Sequence, residues 1–231
     1  VFMVLPVGIF IGKLRIGTTK TQRNAIALLG LTGLFIFLQK LPINPWLSGM
    51  MLITLALIIT VSEYRLGIFG RKHEDSNRFN KYNKGEINPT MFLGILLMLA
   101  GIVGGGILLV TAVEGIADIT DYSTTLLGLT LVAAATSLPE LLTTIFSQEE
   151  HEDKITIGNI IGSNIYNLVF IGGIITLFPI VAKIGLRDGV WLTVSTICLV
   201  LILKRFSGKQ VPKKVGVGLL LLFLLYLITL F

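Results

Sequence analysis

Charge is scarce in this sequence, and cysteine and histidine are almost missing from it. Charged residues fill 14% of the 231 positions, against about a quarter in a soluble domain, and that shortage excludes an ordinary solvated surface. The lone cysteine, Cys198, excludes a disulfide framework and a cysteine-rich metal centre. Its place inside an apolar run reads as a packed thiol. His73 and His151 fall in polar stretches and read as solvated side chains rather than metal ligands. No basic stretch precedes the first apolar segment and no small-residue cleavage site follows it, so the start is unlike a signal peptide, and the natural N-terminus is expected upstream. Gly12-Lys-Leu-Arg-Ile-Gly17-Thr-Thr has glycines at the spacing of a phosphate loop. It lacks the lysine after the second glycine and a preceding strand, which excludes that reading.

Apolar residues supply 53% of the chain and the mean hydropathy is +0.86. The net charge of +6 would suggest a nucleic-acid partner if the cations shared one folded face. They lie instead between long apolar runs, so no nucleic-acid partner is expected and the partner is the lipid bilayer. The runs cover about 1–12, 24–38, 46–64, 91–113, 125–147, 156–181, 189–203 and 215–231. Every backbone N–H and C=O inside a bilayer must find a partner within the protein, and these runs are too long and too uniformly apolar for barrel strands. The predicted fold class is therefore all-α, a polytopic membrane protein of about eight transmembrane helices.

Assigning the connections alternately to two sides sorts the 19 basic residues sharply. Sixteen fall on one side: Lys13 to Arg23, Arg65 to Lys84, Lys154 and Lys204 to Lys214 contain them all. Only Lys40, Lys183 and Arg187 fall on the other. The bias places the first set in the cytoplasm and both ends of this chain outside. The longest connection, 65–90, is polar and turn-rich and reads as a cytoplasmic linker. It divides the chain into residues 1–64, the last three helices of one repeat, and residues 91–231, a complete five-helix repeat. An odd number of helices repeated in tandem inserts with opposite orientation, the inverted-repeat design of many transporters.

The chemistry concentrates in the fifth and sixth segments. Of 13 acidic residues, Glu140 alone sits deep inside an apolar run, and a carboxylate at membrane depth marks an ion or proton path by default. Thr136, Ser137 and Glu140 are three and four residues apart and share a helix face. Pro139 cannot donate a backbone bond and breaks the helix where those oxygens gather. In the sixth segment, Asn159, Ser163 and Asn167 form a polar stripe, with Gly158 and Gly162 spaced for close approach of another backbone. Counting from the turn between the two segments puts Glu140 and Ser163 to Asn167 at matched depth. Interhelical hydrogen bonding alone would explain such a stripe; the broken helix and the buried carboxylate favour a site. Gly101 and Gly105, four apart in the fourth segment, read as helix packing, and Gln148-Glu-Glu-His-Glu-Asp153 as a solvated turn.

The stretch Gly128-Leu-Thr-Leu-Val-Ala-Ala-Ala-Thr-Ser-Leu-Pro-Glu-Leu, followed by an acidic turn and Gly158-Asn-Ile-Ile-Gly-Ser-Asn-Ile-Tyr-Asn, resembles one α-repeat of the cation/calcium exchanger superfamily, in the form of the prokaryotic sodium/calcium exchangers. The resemblance places the α-repeat at 125–181 and implies ten helices in two inverted five-helix halves. It implies metal ligation by the side chains of Glu140, Thr136, Ser137, Ser163 and Asn167 and by the carbonyl of Ala133. It further implies a secondary antiporter in the cell membrane exchanging calcium for sodium by alternating access, with transported ions and no cofactor. Asn167 stands where the family has Asp or Asn, leaving one carboxylate in this half, and the first α-repeat with its matching Glu is expected in a missing N-terminal half. A proton-driven or potassium-dependent exchanger, a passive cation channel and a structural membrane subunit are the alternatives. An intramembrane enzyme is not expected, because Glu140 has no His, Asp or Lys partner at membrane depth.

Overall fold

The computed structural model describes residues 1–17, 19–71, 89–120, 127–178 and 184–230. The described elements are helices: α1 (Val4–Ile11), α2 (Thr19–Lys40), α3 (Pro45–Arg71), α4 (Pro89–Ile119), a π-helical turn (Gly128–Val132) running into α5 (Ala133–Thr136), α6 (Leu138–Glu149), α7 (Asp153–Tyr166), a second π-helical turn (Asn167–Ile171) running into α8 (Gly172–Thr176), α9 (Leu186–Arg205) and α10 (Lys213–Ile228). Each of the eight apolar runs thus carries one helical rod, two of them interrupted. Among the described residues, five stretches are long and apolar enough to cross a membrane: Pro45–Arg65, Phe92–Ile119, Thr130–Glu149, Asp153–Thr176 and Leu186–Arg205. The helices begin and end up to several residues outside the apolar runs, because polar residues continue a helix once its apolar core is nucleated. Accordingly α3 runs on through Arg65 to Arg71, into the expected linker, and the rest of the linker to residue 88, with His73, lies outside the described residues.

The chain forms two compact units, one of residues 1–59 with 137–231 and one of residues 60–136. In the smaller unit α4 presents large apolar side chains outward, Met98 and Leu108 being 72% exposed, as expected of a surface meant for hydrocarbon rather than water. The glycines of α4 do not pack closely among the described residues: a Cβ built at Gly101 or Gly105 meets nothing within 4 Å.

In the larger unit, α1 packs on α6 and α10, α2 packs on α9 and α7, and α6 and α7 form an antiparallel hairpin. Its core joins Leu5, Ile9, Leu28, Leu52, Ile160, Val169, Leu199 and Leu203. Close approach is made at glycines other than those the spacing suggested. A Cβ at Gly158 or Gly162 meets nothing within 4 Å among the described residues, whereas one at Gly49 would lie 2.6 Å from Leu177 Cδ2 and 2.8 Å from the Gly173 carbonyl. That second neighbour is backbone and cannot rotate away. Gly49→Val is therefore expected to destabilise the protein by about 2–3 kcal/mol through overpacking, read as a fall in thermal denaturation midpoint in detergent. An unchanged midpoint would mean that α3 and α8 do not meet at this point.

Two basic loops are tied by backbone pairing. Ile16 N–H donates to Lys209 O at 3.2 Å, Gly208 N–H to Ile16 O at 2.9 Å and Val211 N–H to Leu14 O at 2.9 Å. Leu14, Ile16 and Val211 are buried beneath the pairing. Gly208 holds φ at 70°, a conformation glycine adopts without a Cβ penalty.

Candidate functional site

The α6–α7 hairpin brings together four of the six residues singled out in the sequence. Ser137 (φ −89°, ψ −5°) breaks the rod, and α6 restarts at Leu138 with Pro139 in its first turn, where a missing N–H costs no helical bond. Glu140 lies in that same first turn, the position at which a helix best tolerates an anion. At the other end of α6, His151 at φ 60° turns the chain, a left-handed conformation in which histidine is enriched. Glu152 N–H donates to Ser147 O at 2.7 Å, and α7 begins at Asp153.

The hairpin is stapled near its turn by a buried polar cluster. Ser147 Oγ and Thr156 Oγ1 are 2.6 Å apart, and Gln148 Nε2 donates to Thr156 Oγ1 at 2.8 Å and to Asp153 Oδ1 at 3.1 Å. Gln148 is 2% exposed, which corrects the reading of Gln148 to Asp153 as a wholly solvated turn. Helix α1 closes over the cluster through Gly8, where an added Cβ would stand 3.1 Å from Thr144 Cγ2 and 3.3 Å from Thr156 Cγ2, and through Gly12, where it would collide with the Gln148 amide.

The Ser147–Thr156 pair also fixes the register. Glu140 lies seven residues before Ser147 and Ser163 seven after Thr156, so in antiparallel helices of equal rise they stand level. Asn159 Nδ2 donates to the Glu140 main-chain carbonyl at 3.2 Å, in keeping with that register. The Glu140 side chain is half-buried, and its Oε2 is buried without a hydrogen-bond partner. Ser163 Oγ donates weakly to Ile160 O at 3.4 Å, and Asn164 Nδ2 donates to the same carbonyl at 2.6 Å. Asn167 is exposed and opens the second π-helical turn, its carbonyl accepting from Gly172 N–H. Such turns inside α-helices occur frequently at functional sites.

Four of the six residues singled out in the sequence, Ser137, Glu140, Ser163 and Asn167, therefore belong to one hairpin in the larger unit. Thr136 and Ala133 belong to the smaller unit. There Thr136 Oγ1 donates to Val132 O at 2.9 Å and to Ala133 O at 3.2 Å, so the Ala133 carbonyl already accepts one hydroxyl. The described residues contain no cluster of three or more His, Cys, Asp and Glu able to hold a metal. At the level of Ser163 the hairpin offers one carboxylate, Glu140, amid hydroxyl, amide and carbonyl oxygens, a donor set suited to hard cations. Asn159 and Thr144 carry the contacts that the sequence did not single out; for Asn159 the signal was its place on the stripe with Ser163 and Asn167.

Residues 90–231 match the sodium/calcium exchanger protein family. Over 141 residues the chain is 35% identical to the sodium/calcium exchanger MaX1 of Methanosarcina acetivorans, covering 59% of this chain and 39% of that protein. It is 34% identical over 145 residues to the putative antiporter CaxA of Alkalimonas amylolytica, covering 61% of this chain and 44% of that one. The chain thus spans less than half the length of these curated relatives. A solved structure of the sodium-calcium exchanger NCX_Mj superposes with a TM-score of 0.65 at 23% identity, over 96% of this chain and 70% of that chain, and so shares its fold. With the family matching 142 of 231 residues, the broken-helix hairpin included, this chain belongs to the sodium/calcium exchanger family.

Proposed function

We propose that the chain is the larger part of a secondary antiporter that exchanges calcium for sodium. The observation that carries this reading is the Glu140 carboxylate: one oxygen is buried without a protein partner, on a hairpin of exchanger type. A buried carboxylate oxygen without a hydrogen-bond donor is costly in any fold, and a cation arriving and leaving is the partner that makes the cost functional. Members of the family are transporters rather than enzymes, and the site needs no bond-making group.

In this proposal all eight rods cross the cell membrane, with the basic connections in the cytoplasm and both ends of this chain outside. Glu140, Thr136, Ser137, Ser163, Asn167 and the Ala133 carbonyl together supply one half of the ion shell. The other half comes from an N-terminal repeat of the same transporter, containing the matching acidic residue, and residues 1–64 are the end of that repeat. Calcium takes six to eight oxygens, more than Glu140 and the few neutral groups at its level contribute. The two repeats then rock about the shared site to expose it to each side in turn.

The test is uptake of calcium into proteoliposomes containing the full-length parent chain and loaded with sodium, potassium or buffer alone. Uptake that requires internal sodium is expected. Uptake that requires internal potassium or a proton gradient would replace sodium as the driving ion, and uptake indifferent to the internal ion would replace the antiporter by a channel.

A further inference from the structure

Seven described helix threonines, Thr32, Thr111, Thr136, Thr143, Thr176, Thr193 and Thr196, and Thr120 just past the end of α4, donate their hydroxyls to the carbonyl four residues earlier. That is the usual way for a threonine to satisfy itself inside a membrane helix. Thr144 departs from the pattern although it is fully buried: its Oγ1 has no partner. The carbonyl it would use belongs to Glu140, and that carbonyl is taken by the Asn159 side chain at 3.2 Å. One turn of α6 therefore holds two buried oxygens without protein partners, Glu140 Oε2 and Thr144 Oγ1, and one cross-helix bond that fixes the main chain between them.

We propose that Asn159 is a positioning residue for the Glu140 carboxylate. This rests on the reading of Glu140 as a cation ligand and adds what sets its aim. Pro139 removes a donor from the turn that presents Glu140, and the break at Ser137 leaves that turn without continuous helix before it. Main-chain position there is set by what grips it from outside α6. Helix α7 supplies that grip through Asn159, one turn before Ser163, so the amide couples the height of Glu140 to the ligands borne on α7. Glycines at 158 and 162, with open space beside them, leave Asn159 as the larger side chain at this crossing. The bond is made to the backbone rather than to the carboxylate, so it orients the ligand without occupying its oxygens.

The test uses the full-length parent in proteoliposomes, with calcium as the ion and three variants: Asn159→Ala, Asn159→Leu, which keeps much of the bulk and removes the donor without adding charge, and Asn159→Gln, which keeps the donor. Loss of one hydrogen bond to a positioned ligand is expected to raise the half-saturating calcium about tenfold in the first two. The maximal flux should change less than threefold, and Asn159→Gln should recover part of the affinity. Thermal denaturation without calcium should be nearly unchanged while the stabilisation conferred by calcium falls. Unchanged half-saturation in Asn159→Ala and Asn159→Leu would overturn the inference. So would a fall in calcium-free stability and maximal flux together with unchanged half-saturation, which is the mark of a merely structural bond. Absence of calcium flux and calcium stabilisation in the unsubstituted parent would instead overturn the functional reading on which the inference stands.

Discussion

Glu140→Gln in the full-length parent is expected to reduce calcium flux at least a hundredfold, to background, while leaving the protein folded. Gln has nearly the same shape and keeps one acceptor oxygen, so packing around α6 is preserved. What it removes is the charge. In this half of the site every other candidate ligand is a neutral oxygen, and a divalent ion leaving water for neutral oxygens alone does not recover its hydration. A hundredfold loss corresponds to about 2.7 kcal/mol, well inside the Coulomb energy of adjacent charges in a partly buried site. The companion measurement is thermal denaturation without calcium. Glu140 Oε2 is buried without a hydrogen-bond partner, and a neutral amide is less costly there than an anion, so calcium-free stability should hold or rise while the stabilising effect of calcium disappears. Normal calcium flux in the variant would remove Glu140 from the ion path.

The residues carrying that argument were legible in the sequence for a physical reason. A carboxylate and a proline inside an apolar run break two strong rules of membrane helices, and each violation is local, so one sequence is enough to see it. The depth match between Glu140 and Ser163 was also legible, because an antiparallel hairpin with a short turn has only one register, and the Ser147–Thr156 pair confirms it. The packing glycines were not. Gly158, Gly162, Gly101 and Gly105 have the spacing of close contacts and face open space among the described residues, whereas Gly8, Gly12, Gly49 and Gly173 make those contacts. Spacing says that a helix has a smooth face; it does not say which neighbour arrives there.

Contacts between distant parts of the chain were illegible for the same reason. Nothing in Leu14-Arg-Ile or in Ser207 to Val211 announces that the two segments pair, since neither has strand length nor alternation. The two π-helical turns were hidden too, because an added residue in a turn leaves composition unchanged. Their positions are nevertheless informative: one leads into Ala133 and Thr136, the other begins at Asn167, so both rods change pitch beside residues proposed to hold the ion. A change of pitch frees or redirects main-chain carbonyls, and the sequence offered only Pro139 as a means of doing so.

Asn167→Asp is the substitution expected to act in the opposite sense to Glu140→Gln. Asn167 is exposed at the start of its π-helical turn, so a second carboxylate there is solvated in the empty protein and costs little stability. When an ion binds, the added charge attracts it in proportion to its own charge, so calcium gains about twice the free energy that sodium gains at the same distance. If the half-saturating calcium falls about tenfold, half-saturating sodium should fall only about threefold. Exchange then becomes harder to drive, because sodium must displace a more tightly held ion, and the maximal sodium-dependent flux should drop even as calcium affinity rises. The measurement is the pair of half-saturation values in proteoliposomes of the full-length parent and the variant. Equal shifts for the two ions would mean that Asn167 acts through local structure rather than charge, and no shift for either would place it outside the ion shell, leaving Glu140, Ser137 and Ser163 as the ligands of this hairpin.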